Sequence, residues 1–215
     1  MAQRKHVVIT GTGRSGTTFL VELLTRLGLD TGYTLERMQA KIHKVGRAGL
    51  EHDIRGEHCP YFVKAPAFCE YAEEVLRRTD IVIEHIFVPM RDLHSAAESR
   101  RFVEASILSG SSFLERMNFA ETRQELIGGL VGTTSAEPGV QEEVLLRRIY
   151  ALMLAVSDTA TPVTVMRFPR IVRDGAYLYE KLKPVLGEIT YEAFTAVFST
   201  AARPELVHRF DRNDG

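Results

Sequence analysis

Residues 7–24 read VVITGTGRSGTTFLVELL, and this stretch predicts how the chain begins to fold. Its β-branched start is typical of a buried strand, and the apolar residues from Phe19 onward recur at helical spacing. Gly11, Gly13 and Gly16 lie between the two. A strand, a glycine-rich turn and a helix start can bind an anion, because backbone N–H groups and the positive end of the helix face the ligand.

The rest of the chain continues this alternation of strands and helices. After the first strand, predicted at residues 6–10, β-branched runs recur at 61–65, 81–90 and 161–168, with helical spacing between them. Strands separated by helices indicate crossover connections and a parallel sheet covered on both faces. The predicted fold class is therefore α/β, with a parallel β-sheet sandwiched by helices. Together with the glycine-rich loop, this arrangement resembles that of P-loop nucleotide kinases.

Two regions do not fit the alternation. Residues 33–60 are polar and long for a plain connection, so we predict a partly helical insertion there. Residues 102–160 are predicted as two or three helices with a glycine-bearing break at 128–139. The length of 215 residues suits one domain, and we predict a single domain over residues 1–215 in which these regions form insertions or a cap.

Composition limits the possible partners. Lysine and arginine number 27 against 28 for aspartate and glutamate, so a net charge of −1 gives no global attraction for nucleic acid or acidic membranes. Cys59 and Cys69 form no CxxC pair, which argues against a zinc site and a disulfide scaffold. No stretch of eighteen apolar residues occurs. We expect a soluble cytoplasmic protein with no nucleic-acid partner, no membrane span and no metal.

The loop matches two general phosphate-binding patterns incompletely. Gly11, Gly13 and Gly16 fit the GxGxxG dinucleotide fingerprint, but Asp30, which stands where its acidic residue is expected, follows no β-branched run. The same residues fit a Walker A loop in which Thr17 replaces the lysine that reaches the β- and γ-phosphates. The basic group is instead Arg14, inside the loop, where a guanidinium could grip a phosphate or a transferring group.

A third pattern accounts for every position of GTGRSGTTFL. It resembles the loop of sulfotransferases that use 3′-phosphoadenosine 5′-phosphosulfate, in which a strand is followed by a basic residue, Ser, Gly, two Thr and an apolar or aromatic residue. By this resemblance the loop binds the 5′ end of the donor, with an aromatic residue placed against the adenine. The implied donor-binding residues of the loop are Gly13, Arg14, Ser15, Gly16, Thr17, Thr18 and Phe19.

A second motif supports the same resemblance independently. The run VPMRDLHSAAES ends the third predicted strand at Arg91 and places Ser99 eight residues later. In the sulfotransferases an arginine and a serine at this spacing bind the 3′-phosphate, the group that distinguishes their donor from ATP. Arg91 and Asp92 match the Arg-Asp pair of the family, whereas Leu93 replaces its usual proline.

Weaker matches complete the implied site. VKAPAF at 63–68 is similar to a family strand ending in Lys-x-Pro, which would point Lys64 into the cleft. Residues 163–187 are similar to a late family segment. Together with Arg14, Lys64 would stabilise the charge on the leaving oxygen. The resemblance also implies a glutamate base some twenty residues after the loop, matched by Glu36.

Further candidate bases lie in the same insertion: Glu51, His52, Asp53 and His58. The family histidine two residues after the lysine is absent, because position 66 is proline.

The resemblance therefore implies a sulfotransferase that transfers a sulfuryl group from 3′-phosphoadenosine 5′-phosphosulfate to a hydroxyl or amine of a small molecule or glycan. The product would be adenosine 3′,5′-bisphosphate. Two alternatives remain open: a P-loop kinase that acts on nucleotides or small molecules, and a non-catalytic nucleotide-binding module.

Overall fold

The computed structural model describes residues 3–11, 13–42, 49–110, 138–207 and 210. The strands and longer helices, in chain order, are β1 (Arg4–Ile9), α1 (Thr17–Arg26), α2 (Leu35–Lys41), β2 (Phe62–Lys64), α3 (Phe68–Leu76), β3 (Ile81–Met90), α4 (Leu93–Gly110), α5 (Pro138–Ser157), β4 (Val163–Arg167), α6 (Gly175–Leu182) and α7 (Tyr191–Ala201). None of the helices in these ranges is both long enough and apolar enough to cross a membrane.

The four strands form one parallel sheet in the order β2-β1-β3-β4. All four therefore end at the same edge, where the loop after Ile9, Lys64 at the end of β2 and Arg91 after β3 come together. The chain leaves β1 toward β2 on one side and returns to β3 on the other. Open parallel sheets bind ligands at such a reversal of strand order, outside the carboxyl ends of the strands.

Helices cover both faces of the sheet, which confirms the predicted α/β class. Successive residues of β1 supply the two cores, because side chains alternate across a strand. Val7 and Ile9 pack in a core with side chains of α1, α6 and α7. Val8 packs in the opposite core with side chains of α3 and α5. Every residue from Val7 to Ile9 is fully buried, as expected for the centre of a parallel sheet.

The two predicted insertions differ in structure. Within 33–60 the described residues form the short helix α2 and otherwise lack regular secondary structure. Within 102–160 they form the end of α4 and the whole of α5. The predicted break at 128–139 lies outside the described residues except for its last two positions.

Gly16, the residue before α1, is packed too tightly for a side chain. Its φ is 88°, in the left-handed region, and a Cβ there would stand 2.8 Å from a ring carbon of Phe168 and 3.0 Å from Ile171. Gly28 has a similar φ of 79° with nothing within 4 Å of the same position. A side chain at Gly16 would therefore meet both backbone strain and close packing, whereas a side chain at Gly28 would meet the backbone strain alone.

We expect Gly16→Ala to lower the free energy of unfolding by about 2 kcal/mol and Gly28→Ala by about 1 kcal/mol, because only the first adds overpacking to the left-handed penalty. Urea unfolding of both variants measures the difference. Equal losses of free energy would mean that Phe168 and Ile171 do not exclude a side chain at Gly16.

Candidate functional site

The loop between β1 and α1 has the backbone of an anion site. Left-handed φ values occur at Gly11 (139°), Gly13 (69°), Arg14 (56°) and Gly16 (88°), and in turns of this kind successive backbone N–H groups can converge on an anion as a nest. Arg14 is the one non-glycine among them, a conformation that costs about 1 kcal/mol or more. Strain of this kind persists where the surrounding structure holds it, often at functional sites.

Ser15 supplies a second sign that the loop accommodates a ligand. Its side chain is fully buried, and among the described residues its Oγ has no hydrogen-bond partner. The hydroxyl lies 3.6 Å from the position that a Cβ on Gly11 would occupy. A buried hydroxyl without a partner costs about 1–3 kcal/mol. A bound oxyanion would remove this cost by accepting its hydrogen bond.

The residues predicted for the two ends of the donor lie in contact. Arg14 Nε donates to Ser99 Oγ over 3.2 Å, and Arg91 Nη1 donates to the carbonyl of Arg14 over 3.3 Å. Ser99 is buried on α4, and both arginines are half-buried. These contacts join the loop to residues 77 and 85 positions away. The sheet order produces them, since β3 lies next to β1.

The charges at this point favour an anion. Burial, with a smaller contribution from Arg91, lowers the pKa of Arg14 to about 10. Burial also lowers the pKa of Arg91, partly offset by Asp92. Both side chains remain cationic at neutral pH, so two guanidinium groups are kept close in a partly dehydrated place. A phosphate between them would relieve their repulsion and accept charge-assisted hydrogen bonds.

The Arg91–Asp92 turn is sound despite Leu93. Asp92 Oδ1 accepts a hydrogen bond of 2.9 Å from the backbone N–H of Ser95, so it caps α4. Leu93 is the first residue of α4, a position at which proline is common but not required. The start of α4 is therefore capped without a proline at position 93.

Lys64 is directed at the loop from the other side. Its side chain is 2 % exposed, and Nζ donates to Thr18 Oγ1 over 2.8 Å, to Glu51 Oε1 over 2.7 Å and to the carbonyl of Gly49. Burial lowers the pKa of Lys64, the charge of Glu51 opposes that effect, and Arg14 adds to it. A buried ammonium is thus held within hydrogen-bond distance of the first turn of α1.

The structure brings the sequence-predicted residues together unequally. Phe19, predicted against an adenine ring, lies on α1 with its ring 6.1 Å from that of Phe198 on α7, edge to face. Glu36, the predicted base, lies exposed in the first turn of α2, whose N-terminus is capped by Thr34. In contrast, Glu51 contacts Lys64 directly.

The sequence analysis assigned no functional role to Phe168. Its ring packs on Gly16 and lies 5.3 Å from the guanidinium carbon of Arg91, so it connects the loop to the predicted 3′-phosphate residue. Only the parallel pairing of β4 with β3 brings Phe168 to this place, and no local pattern indicates that pairing.

Asp30 does not stand where a dinucleotide fold needs its acidic residue. It lies in the turn after α1, and its carboxylate accepts backbone hydrogen bonds from Gly32 over 3.2 Å and from Tyr61 over 2.9 Å. A ribose-binding acidic residue follows the second strand of the fold, whereas β2 begins only at Phe62. The structure therefore agrees with the sequence argument against that fingerprint.

No protein-family model matches this chain, and no match was found among curated proteins.

Proposed function

We propose that this protein is a sulfotransferase that uses 3′-phosphoadenosine 5′-phosphosulfate as its donor. The observation that carries the proposal is the contact of Arg14 with Ser99 and Arg91. Two motifs that resemble the 5′- and 3′-phosphate motifs of one enzyme family meet at one sheet edge, although they lie far apart in the chain. If either motif matched only by chance, there would be no reason for the two to lie in contact in the folded chain.

Each group has a chemical role in this proposal. The loop N–H groups and the hydroxyls of Ser15 and Thr18 bind the 5′ end of the donor, and Arg91 with Ser99 binds the 3′-phosphate. An acceptor oxygen or nitrogen forms a bond to sulfur as the bond from sulfur to the bridging oxygen breaks. The electron pair stays on that oxygen, where Lys64 and Arg14 stabilise the negative charge.

The acceptor proton goes to a carboxylate in this scheme. Glu36 fits the family spacing, but Glu51 lies on Lys64, the group that faces the leaving oxygen. We therefore assign the proton to Glu51. The acceptor is a hydroxyl or amine of a small molecule or glycan.

A kinase is the second candidate, and one contact favours it. Thr17 removes the Walker A lysine, yet Lys64 reaches Thr18 from the neighbouring strand and could supply an equivalent charge. This reading predicts magnesium-dependent binding of ATP and gives Arg91 and Ser99 no specific role.

Calorimetric titration separates the candidates without any knowledge of the acceptor. We expect adenosine 3′,5′-bisphosphate to bind at least about 30-fold more tightly than ADP, because the 3′-phosphate adds charge-assisted hydrogen bonds worth about 2 kcal/mol. NAD and ATP with magnesium complete the set. Preference for magnesium ATP would favour the kinase, and preference for NAD would contradict both.

A further inference from the structure

The ammonium of Lys64 has no spare hydrogen. A lysine ammonium carries three N–H donors, and Nζ already meets three acceptors: Thr18 Oγ1, Glu51 Oε1 and the carbonyl of Gly49. A phosphate or sulfuryl oxygen beside Thr18 can therefore bind Lys64 only by displacing one of them. Thr18 belongs to α1 and Gly49 contributes backbone, so the side chain of Glu51 is the acceptor that can leave most easily.

The backbone that carries Glu51 is fixed, although its side chain can move. Leu50 takes a left-handed φ of 68° and is buried in the core that contains α1. The Tyr33 hydroxyl donates to the Glu51 carbonyl over 3.4 Å, and the backbone N–H of His52 donates to the Lys64 carbonyl over 3.0 Å. Glu51 Oε1 also accepts a long hydrogen bond of 3.3 Å from the backbone N–H of Gly49. The side chain is nevertheless 28 % exposed, so its carboxylate can give up these bonds and turn into solvent without moving the chain.

Charge makes the exchange necessary. The two ionised side chains that most affect Lys64 are Glu51, which stabilises its charge, and Arg14, which opposes it. An anion in the loop would bring a second negative charge next to the same ammonium, and at close range in a partly buried site two anions repel strongly. Glu51 and the anion cannot both keep the best position on Lys64.

We propose that Glu51 is an internal competitor of the donor, which the bound anion displaces from Lys64. The exchange would free the Glu51 carboxylate beside the loop only when the donor is present, and so couple donor binding to the availability of the base. The exchange itself applies to any anion in the loop. Its catalytic consequence rests on the proposed function.

The test is the affinity of Glu51→Gln for three anions: adenosine 3′,5′-bisphosphate, ADP and inorganic pyrophosphate. Glutamine keeps an oxygen that can accept from Lys64 but removes the competing charge. We expect all three ligands to bind about tenfold more tightly to the variant by calorimetry. Glu57→Gln, an exposed position of the same segment, is the control for a general change of net charge and should leave all three affinities unchanged.

A double-mutant cycle shows whether Glu51 acts through Lys64. In a Lys64→Met background the gain from Glu51→Gln should disappear, because the two anions no longer share an ammonium. This background also covers the case in which Glu51→Gln alone loses stability through an uncompensated buried lysine. Thermal unfolding of all four proteins shows that affinities are compared between folded chains.

The outcomes separate this inference from the proposed function. Tighter binding of ADP and pyrophosphate with no preference for the bisphosphate would support the exchange and contradict the sulfotransferase. Unchanged or weaker binding of all three ligands by Glu51→Gln would overturn the exchange, as would an equal gain in the Lys64→Met background. Failure of both wild type and Glu51→Gln to bind any of the three would overturn it as well.

Discussion

Replacement of Lys64 by methionine is expected to slow donor turnover about 10³-fold while leaving the affinity for adenosine 3′,5′-bisphosphate within about tenfold of wild type. Methionine fills a similar volume without the charge that faces Thr18. When the donor binds, Lys64 would give up its ion pair with Glu51 and gain one with the donor. Its net contribution to donor affinity is therefore small. At the transition state the leaving oxygen becomes more negative, and the ammonium then contributes more than it does in the bound donor.

Release of adenosine 3′,5′-bisphosphate from the donor, in a mixture of phenols, alcohols and amino sugars, measures this loss without assuming one acceptor. Lys183→Met is the control. Lys183 is exposed immediately after the end of α6, and its ammonium pairs with the carboxylate of Glu180 at 3.8 Å. Turnover by Lys64→Met within tenfold of wild type would contradict the role of Lys64. A large loss of affinity with little loss of turnover would make it a binding residue only.

The sequence was sufficient to predict the loop and the sheet because both depend on short-range patterns. The order of strand, turn and helix is predicted by a β-branched run, closely spaced glycines and a helical period. The parallel sheet follows from the alternation of strands and helices. The same information predicts that Arg91 follows a strand. It does not order the strands, and only the order β2-β1-β3 brings Lys64 and Arg91 to opposite sides of one loop.

Glu51 was named only as one of several alternatives, and the reason is physical. Residues 49–60 have no regular secondary structure, so no period predicts which side chain faces inward. The position of Glu51 is determined by the buried side chain of Leu50 and by a left-handed backbone that leucine rarely adopts. Glu36, by contrast, lies in a helix whose buried residue is Met38, and family spacing rather than packing was its only support.

Replacement of Arg91 by alanine is expected to weaken binding of adenosine 3′,5′-bisphosphate by about 2–3 kcal/mol, a loss of about 30- to 150-fold, while ADP affinity barely changes. The difference is expected because, in the proposed site, the guanidinium contacts only the 3′-phosphate, which ADP lacks. Ser99→Ala should change selectivity in the same direction by a smaller amount, since it removes one hydrogen bond from an uncharged donor. Arg91→Lys keeps the charge but loses the planar guanidinium, so its loss of selectivity should lie between those of Arg91→Ala and Ser99→Ala.

Calorimetry with both nucleotides on each variant gives the selectivity directly, and Arg77→Ala provides an exposed arginine as the control. Arg91 also donates to the carbonyl of Arg14, so its removal could instead loosen the whole loop. The ADP titration distinguishes the two cases, because a loosened loop would lower the affinity for both nucleotides equally. Equal losses would therefore contradict the assignment of Arg91 to the 3′-phosphate, and with it the feature that separates a sulfuryl donor site from an ATP site.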